Sequence, residues 1–246
     1  MIDKGLLISG NSIPFPGGKI MVGQPKLKSL LALGEKNYLQ AISLLTFSKE
    51  ILSDKDKILL KDINDFDVLM SIINDDSKQE AYNSKDIILD ILTVLFPEHE
   101  IILDKGFIIL KKEKEIPSSI NSENFADFRE ILKEIFCLNK SKEQDYNPSG
   151  PKAKSLAERF KKKKQMLSEQ KNKKDESLFE NYLSILEVGL GIDINSLLDY
   201  TIYQIYDAFD RFNLKEAYDI SLQAKMAGAK SDSLDKVEHW MKNIHS

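Results

Sequence analysis

Thr201-Ile202-Tyr203-Gln204-Ile205-Tyr206-Asp207-Ala208-Phe209-Asp210-Arg211-Phe212 predicts an amphipathic helix, and the rest of the chain has to supply its cover. Thr201 and Gln204 stand at the spacing of a capping box, in which hydroxyl and amide satisfy backbone donors at a helix start. Ile202, Ile205, Tyr206, Phe209 and Phe212 recur at steps of three and four and share one face. Downstream, Asn213 predicts a break or kink, and Leu214, Ala217, Tyr218 and Leu222 carry the pattern on to Gly228. A last helix from Asp232 or Ser233 places Leu234, Val237, Trp240, Met241 and Ile244 on one side. Upstream, Leu178, Phe179, Tyr182, Leu183, Leu186 and Leu190 form another stripe, ended at Gly189 to Gly191, and a turn through Asp193-Ile194-Asn195 returns the chain to Thr201. The expectation is a small helical bundle over 176–246, with the aromatic stripe as its own core and Trp240 closing it. On that reading Trp240→Ala costs about 3–5 kcal/mol, as for large buried aromatics. Outer members of the stripe could face a partner instead, and the candidate contacts are Tyr203, Tyr206, Phe209 and Trp240.

Outward from this bundle lies a change of composition. Asn147-Pro148-Ser149-Gly150-Pro151 forces an irregular break. From Lys152 to Lys174 nine Lys and one Arg oppose two Glu, a charge of +8, so the net −4 of the 246-residue chain leaves −12 on the remainder. The segment is rich in helix formers but has little to bury. Lys161, Lys162, Lys163 and Lys164 are its densest charges and candidate partner contacts. Clustered Lys also suits a nucleic-acid arm. With one aromatic residue and one Arg in the run, little is available to stack on bases, which favours a linker or protein-partner segment. Residues 140–175 are read as this linker, and 1–139 as a separate N-terminal domain.

That first part alternates short apolar strings with turn residues. Leu6-Leu7-Ile8 and Lys19-Ile20-Met21-Val22 flank Pro14-Phe15-Pro16-Gly17-Gly18 and predict two strands in a hairpin or β-arch. Pro25 is positioned to open a helix, and Leu27, Leu30, Leu31, Tyr38, Ala41, Ile42 and Leu45 give a helical stripe broken near Gly34. Phe66, Leu69, Met70 and Ile73 predict another helix. Ile87, Ile88, Ile91, Leu92 and Leu95 predict a longer one, ended by Pro97. Ile101-Ile102-Leu103 and Phe107-Ile108-Ile109-Leu110 read as a tight hairpin through Asp104-Lys105-Gly106, extending the N-terminal sheet. Asn121 is predicted to cap a helix whose Phe125, Phe128, Ile131, Leu132, Ile135 and Phe136 form the apolar face. The fold class expected is α+β.

Composition and motifs narrow the function classes. With 42% hydrophobic and 30% charged residues the chain can bury a real core. The longest apolar run, Ile87 to Phe96, is interrupted by Asp90 and too short for a bilayer span. The N-terminus lacks the pattern of a signal peptide, so a cytoplasmic protein is expected. Single Cys137 permits no internal disulfide and reads as a small core hydrophobe. His99, His239 and His245 lack metal-ligand spacing. Asp54-Lys55-Asp56 and Asp62-Ile63-Asn64 lack the Gly and distal Glu of calcium loops. Gly17-Gly18-Lys19 fails the phosphate-loop spacing and has Ile20 in place of Ser or Thr. Asp207 and Asp210 read as a solvated face. No catalytic residue, cofactor or metal is expected, and the chain is not read as an enzyme.

Four stretches, in order, carry a family resemblance: Ile120 to Phe125 with Phe136-Cys137-Leu138; Tyr146 to Lys154 with its Lys-rich continuation; Tyr182 to Leu190; and Leu197 to Asp207 with Ala224 to Gly228 and Trp240 to His245. The chain resembles a family of tail proteins of long-tailed bacteriophages and prophages of low-GC Gram-positive bacteria. These proteins are encoded near the tape-measure protein and described as tail assembly chaperones. The likeness covers the second half well, and the first half by its Pro-Phe-Pro-Gly-Gly hairpin and general layout. It implies a protein of the host cytoplasm that binds the tape-measure protein, keeps its apolar helices from aggregating and helps recruit tail-tube subunits. Two alternatives stay open: a structural tail or baseplate subunit kept in the virion, and a nucleic-acid-binding module using Lys152 to Lys174. Self-association stays open too.

Overall fold

The chain starts with a helix where Leu6-Leu7-Ile8 predicted a strand. In the computed structural model, which describes residues 2–16, 20–51, 60–74, 84–104, 106–138, 178–227 and 239–244, α1 spans Lys4–Ser9. The Asp3 carboxylate accepts the Gly5 N–H at 2.8 Å. Gly10 takes φ 72° and returns its N–H to the last turn, the left-handed ending that glycine tolerates best. Start and stop signals two and three residues outside the apolar string therefore override its β character. The first strand pair forms later, between β1 (Ile13–Pro14) and β2 (Met21–Val22).

The helices follow their apolar spacing. α2 (Leu27–Leu33) and α3 (Glu35–Leu45) divide at Gly34 as expected. α4 (Asp65–Ile73) buries Phe66, Leu69, Met70 and Ile73, and α5 (Ser84–Leu95) buries Ile87, Ile88, Ile91, Leu92 and Leu95. β3 (Glu100–Asp104) and β4 (Phe107–Lys111) form the expected hairpin, with Ile102 opposite Ile109. It does not extend the first sheet. Pro14 has no N–H to add to a ladder, and Gly23, just past β2, donates instead to the Leu95 carbonyl at 2.8 Å. The hairpin is completed by β5 (Ser118–Ile120), giving a second antiparallel sheet of order β3-β4-β5.

α6 (Phe125–Ile135) has its cap three residues beyond the expected one. Asn121 accepts the Glu123 N–H at 2.9 Å in a turn before the helix, and Asn124 holds the cap position. The C-terminal elements are α7 (Leu178–Leu190), α8 (Ile194–Leu198) and α9 (Ile202–Met226). α9 runs 25 residues straight through Asn213. Asn keeps its backbone N–H, so its cost inside a helix is only a few tenths of a kcal/mol, too little to break one.

The architecture is α+β. The C-terminal helices do not keep their apolar faces to themselves, as the bundle reading expected. A single buried cluster runs from Leu7 through Phe66, Phe96 and Phe128 to Phe179, Leu197 and Ile205. α9 packs on α1, α6 and α7, and α8 packs on α2 and α7. The proposed linker, 140–175, lies outside the described residues, as does the start of the last helix at 232 or 233. Among the described residues no helix is long and apolar enough to cross a membrane.

Candidate functional site

The start of α9 is built into the N-terminal half. The capping box forms: the Thr201 N–H donates to Gln204 Oε1 at 2.8 Å and the Gln204 N–H to Thr201 Oγ1 at 3.3 Å. The same Gln204 amide donates to the Ile8 carbonyl at 2.8 Å, and Leu27 N–H to the Tyr200 carbonyl at 2.8 Å. Ile202, Tyr203 and Ile205 are thereby buried, Tyr203 to 3% exposure. Tyr203 is a core residue here, with no surface for a partner. It read as an outer member of the stripe because the bundle was expected to be its own core, without α1 packed over the start of α9.

Tyr206 and Phe209 are half-buried in an aromatic seam with α7. The Tyr182 ring meets Tyr206 edge-on at 5.2 Å and Phe209 at 4.5 Å. Burial, with Tyr182, Cys137, Glu35 and Asp210 adding negative charge nearby, pushes the Tyr206 hydroxyl up to about 12. Burial first and Asp210 second push Tyr182 up as well. An unfolded tyrosine ionises near pH 10. Below that pH both states are protonated and nothing changes. Between about 10 and 12 the unfolded chain holds fewer protons than the folded one, so stability falls as pH rises. Tyr206→Phe is expected to move the alkaline unfolding midpoint upward, measured by circular dichroism across a pH titration. An unchanged midpoint removes Tyr206 as the cause.

One turn along, the seam closes on glycine. A Cβ at Gly189 would lie 2.5 Å from the Phe212 ring, so only glycine lets α7 and α9 approach this closely. Beyond Phe212 the C-terminal residues 239–244 fold back onto α9. Arg211 Nη1 donates to the carbonyls of Trp240 at 2.6 Å and Lys242 at 2.8 Å, and Tyr218 lies 4.7 Å from the His239 ring. Trp240 stacks on His239 and is half-buried, outside the core cluster. It does not close a bundle core, because the core it was assigned to is shared with the N-terminal half. Arg211→Ala is expected to red-shift the emission of this single tryptophan while costing about 1 kcal/mol of global stability. A loss of the whole fold would mean that the tail is structural. Lys161 to Lys164 lie outside the described residues.

This region leaves several apolar side chains uncovered. Val188 (84% exposed), Met226 (82%), Met241 (68%) and Ile220 (62%) are, with Ile116 (83%), the most exposed large apolar side chains among the described residues. Ile185 and Val188 share the side of α7 turned away from buried Phe179, Leu183 and Leu186, and Leu222 and Met226 share a side of distal α9. Leu222 and Met241 were expected on buried helical stripes, and none of these residues was among the candidate partner contacts. In α7 the signal was there: Ile185 and Val188 fall off the stripe that the helix buries. Among the described residues no three His, Cys, Asp or Glu side chains gather to hold a metal ion.

Residues 170–245 match the family model described as the YomV second domain. That family name is phage-derived. The YomV second-domain match spans α7, α8, α9 and the returning tail, less than half of the chain, and is a likeness of the C-terminal part to a family with a phage-derived name. No curated protein and no solved structure matches the chain.

Proposed function

We propose that this chain is a non-enzymatic phage tail assembly chaperone that binds apolar helices of the tape-measure protein, keeps them from aggregating and helps recruit tail-tube subunits. The observation that carries the proposal is the uncovered apolar set Val188, Ile220, Met226 and Met241, lying within the stretch that matches a phage-derived family. A helical partner docks by setting its apolar side chains against such a surface. The site of action is the host cytoplasm during tail assembly.

Co-expression with the tape-measure protein of the same phage tests this. The full chain is expected to keep that protein soluble and to copurify with it. Val188→Asp with Met226→Asp should cut copurification about tenfold, equivalent to about 1.4 kcal/mol. Ile116→Asp, equally exposed on another part of the surface, should leave it unchanged. Copurification that survives the double substitution overturns the assignment of these residues. A virion proteome separates an assembly factor, absent from finished particles, from a structural tail or baseplate subunit. Salt-sensitive retention on mixed-sequence DNA, lost on neutralising Lys152 to Lys174, would instead support the nucleic-acid reading.

A further inference from the structure

A cleft of about 610 Å³ opens between α1, β1 and α6, away from the face discussed above. Ile2, Leu6 and Ile131 contribute apolar surface to it, and Asp127, Glu130 and Glu134 line it from α6. Those three carboxylates follow at spacings of three and four, so they stand in one row along the helix. Asp3 adds a fourth acidic side chain from the start of α1, where it also caps the helix. Two cations of α6 meet this row at Glu130: Lys133 donates to it at 2.8 Å and Arg129 Nε lies 4.0 Å from it. Asp127 and Glu130 are exposed and Glu134 is half-buried.

The chemistry of the walls selects an occupant. The volume is that of a site for several large side chains. A strand cannot add alongside β1, which is two residues long and includes Pro14, without an N–H to donate. Recognition therefore runs through side chains: apolar groups on the floor and positive charge along the α6 row. We propose that this cleft docks a basic amphipathic helix of a partner protein, its apolar side chains on Ile2, Leu6 and Ile131 and its Lys or Arg residues against Asp127 and Glu130. This second surface is independent of the tape-measure reading, since it uses opposite chemistry on different elements.

The test uses the full chain and a fluorescent synthetic Leu/Lys amphipathic helix, with binding read by anisotropy at low and physiological salt. Wild type is expected to bind. Asp127→Lys with Glu130→Lys should weaken binding at least about tenfold at low salt, and Ile2→Ser should weaken it at both salts. Asp62→Lys with Glu113→Lys makes the same change of charge at exposed positions outside the cleft and should leave binding within about twofold. Circular dichroism verifies that each variant is folded. An equal loss in the control pair shows attraction to net charge alone and overturns the proposal. So does a wild-type chain that fails to bind, whether or not changing Lys161, Lys162, Lys163 and Lys164 to Gln restores binding. Restoration would assign the cleft to the chain's own basic segment.

Discussion

Arg129→Ala is expected to lower unfolding stability by about 3–5 kcal/mol, read as a shift of the denaturant midpoint at constant slope. Arg129 and Asp65 are 15% and 20% exposed, so both charges have left most of their water. One guanidinium nitrogen donates at 2.5 Å to Asp65 and at 3.0 Å to the Phe47 carbonyl. Asp65 in turn accepts the Lys49 N–H at 3.1 Å. Four parts of the chain meet there: the loop after α3, the short turn at Lys49–Ile51, the start of α4, and α6. Removing the cation leaves a carboxylate and a carbonyl desolvated without their donor, which is where the cost of breaking a buried pair arises. Arg129→Lys keeps the charge on a shorter reach and should fall between wild type and Ala. A loss below about 1 kcal/mol for Ala would show that water replaces the guanidinium, as at an exposed pair.

The sequence was legible wherever local chemistry sets local structure. The Thr201 and Gln204 capping box, the division at Gly34, the stop at Pro97 and the β3-β4 hairpin all depend on residues within a few positions of the feature they create. Helix faces were legible too, because a period of three and four needs no partner to be recognised. Of the readings that failed, one gave an apolar string more weight than the cap residues beside it, and the others were decided by distant contacts. Leu6-Leu7-Ile8 reads as a strand until Asp3 and Gly10 are seen to cap it on both sides. Tyr203 reads as exposed until α1 is placed over α9. Trp240 reads as core until Arg211 is seen holding the backbone around it at the surface.

The candidate site was the least legible part, for the same physical reason. An apolar stripe states that something covers it and not what does. The aromatic residues named from sequence turn out to be used internally, Tyr203 in the core and Tyr206 and Phe209 against Tyr182. The exposed set, Val188, Ile220 and Met226, consists of aliphatic side chains that fall off the stripe and attract less notice than an aromatic run.

Phe128→Ala tests the consequence of a shared core, and its expected cost is about 3–5 kcal/mol. Phe128 is fully buried in α6, edge-on to Phe15 at 6.2 Å and stacked with Phe96 at 5.9 Å. It thus joins the first hairpin, the end of α5 and the helix against which α9 packs. Domains of this size are stable by about 5–15 kcal/mol in total, so the loss is a large share. Its distribution is the sharper readout. If α7, α8 and α9 were a bundle with their own core, the emission of Trp240 on α9 would be unmoved by a cavity at Phe128. A separate, later unfolding transition would then remain. With one continuous core, helix content and Trp240 emission should fall together, at a midpoint lowered equally for both probes. Two separated midpoints in the variant would restore the picture of an independent C-terminal unit. Coincident midpoints would mean that the apolar face of α7 and α9 is held in place by the N-terminal half, so that damage far from the face disables it.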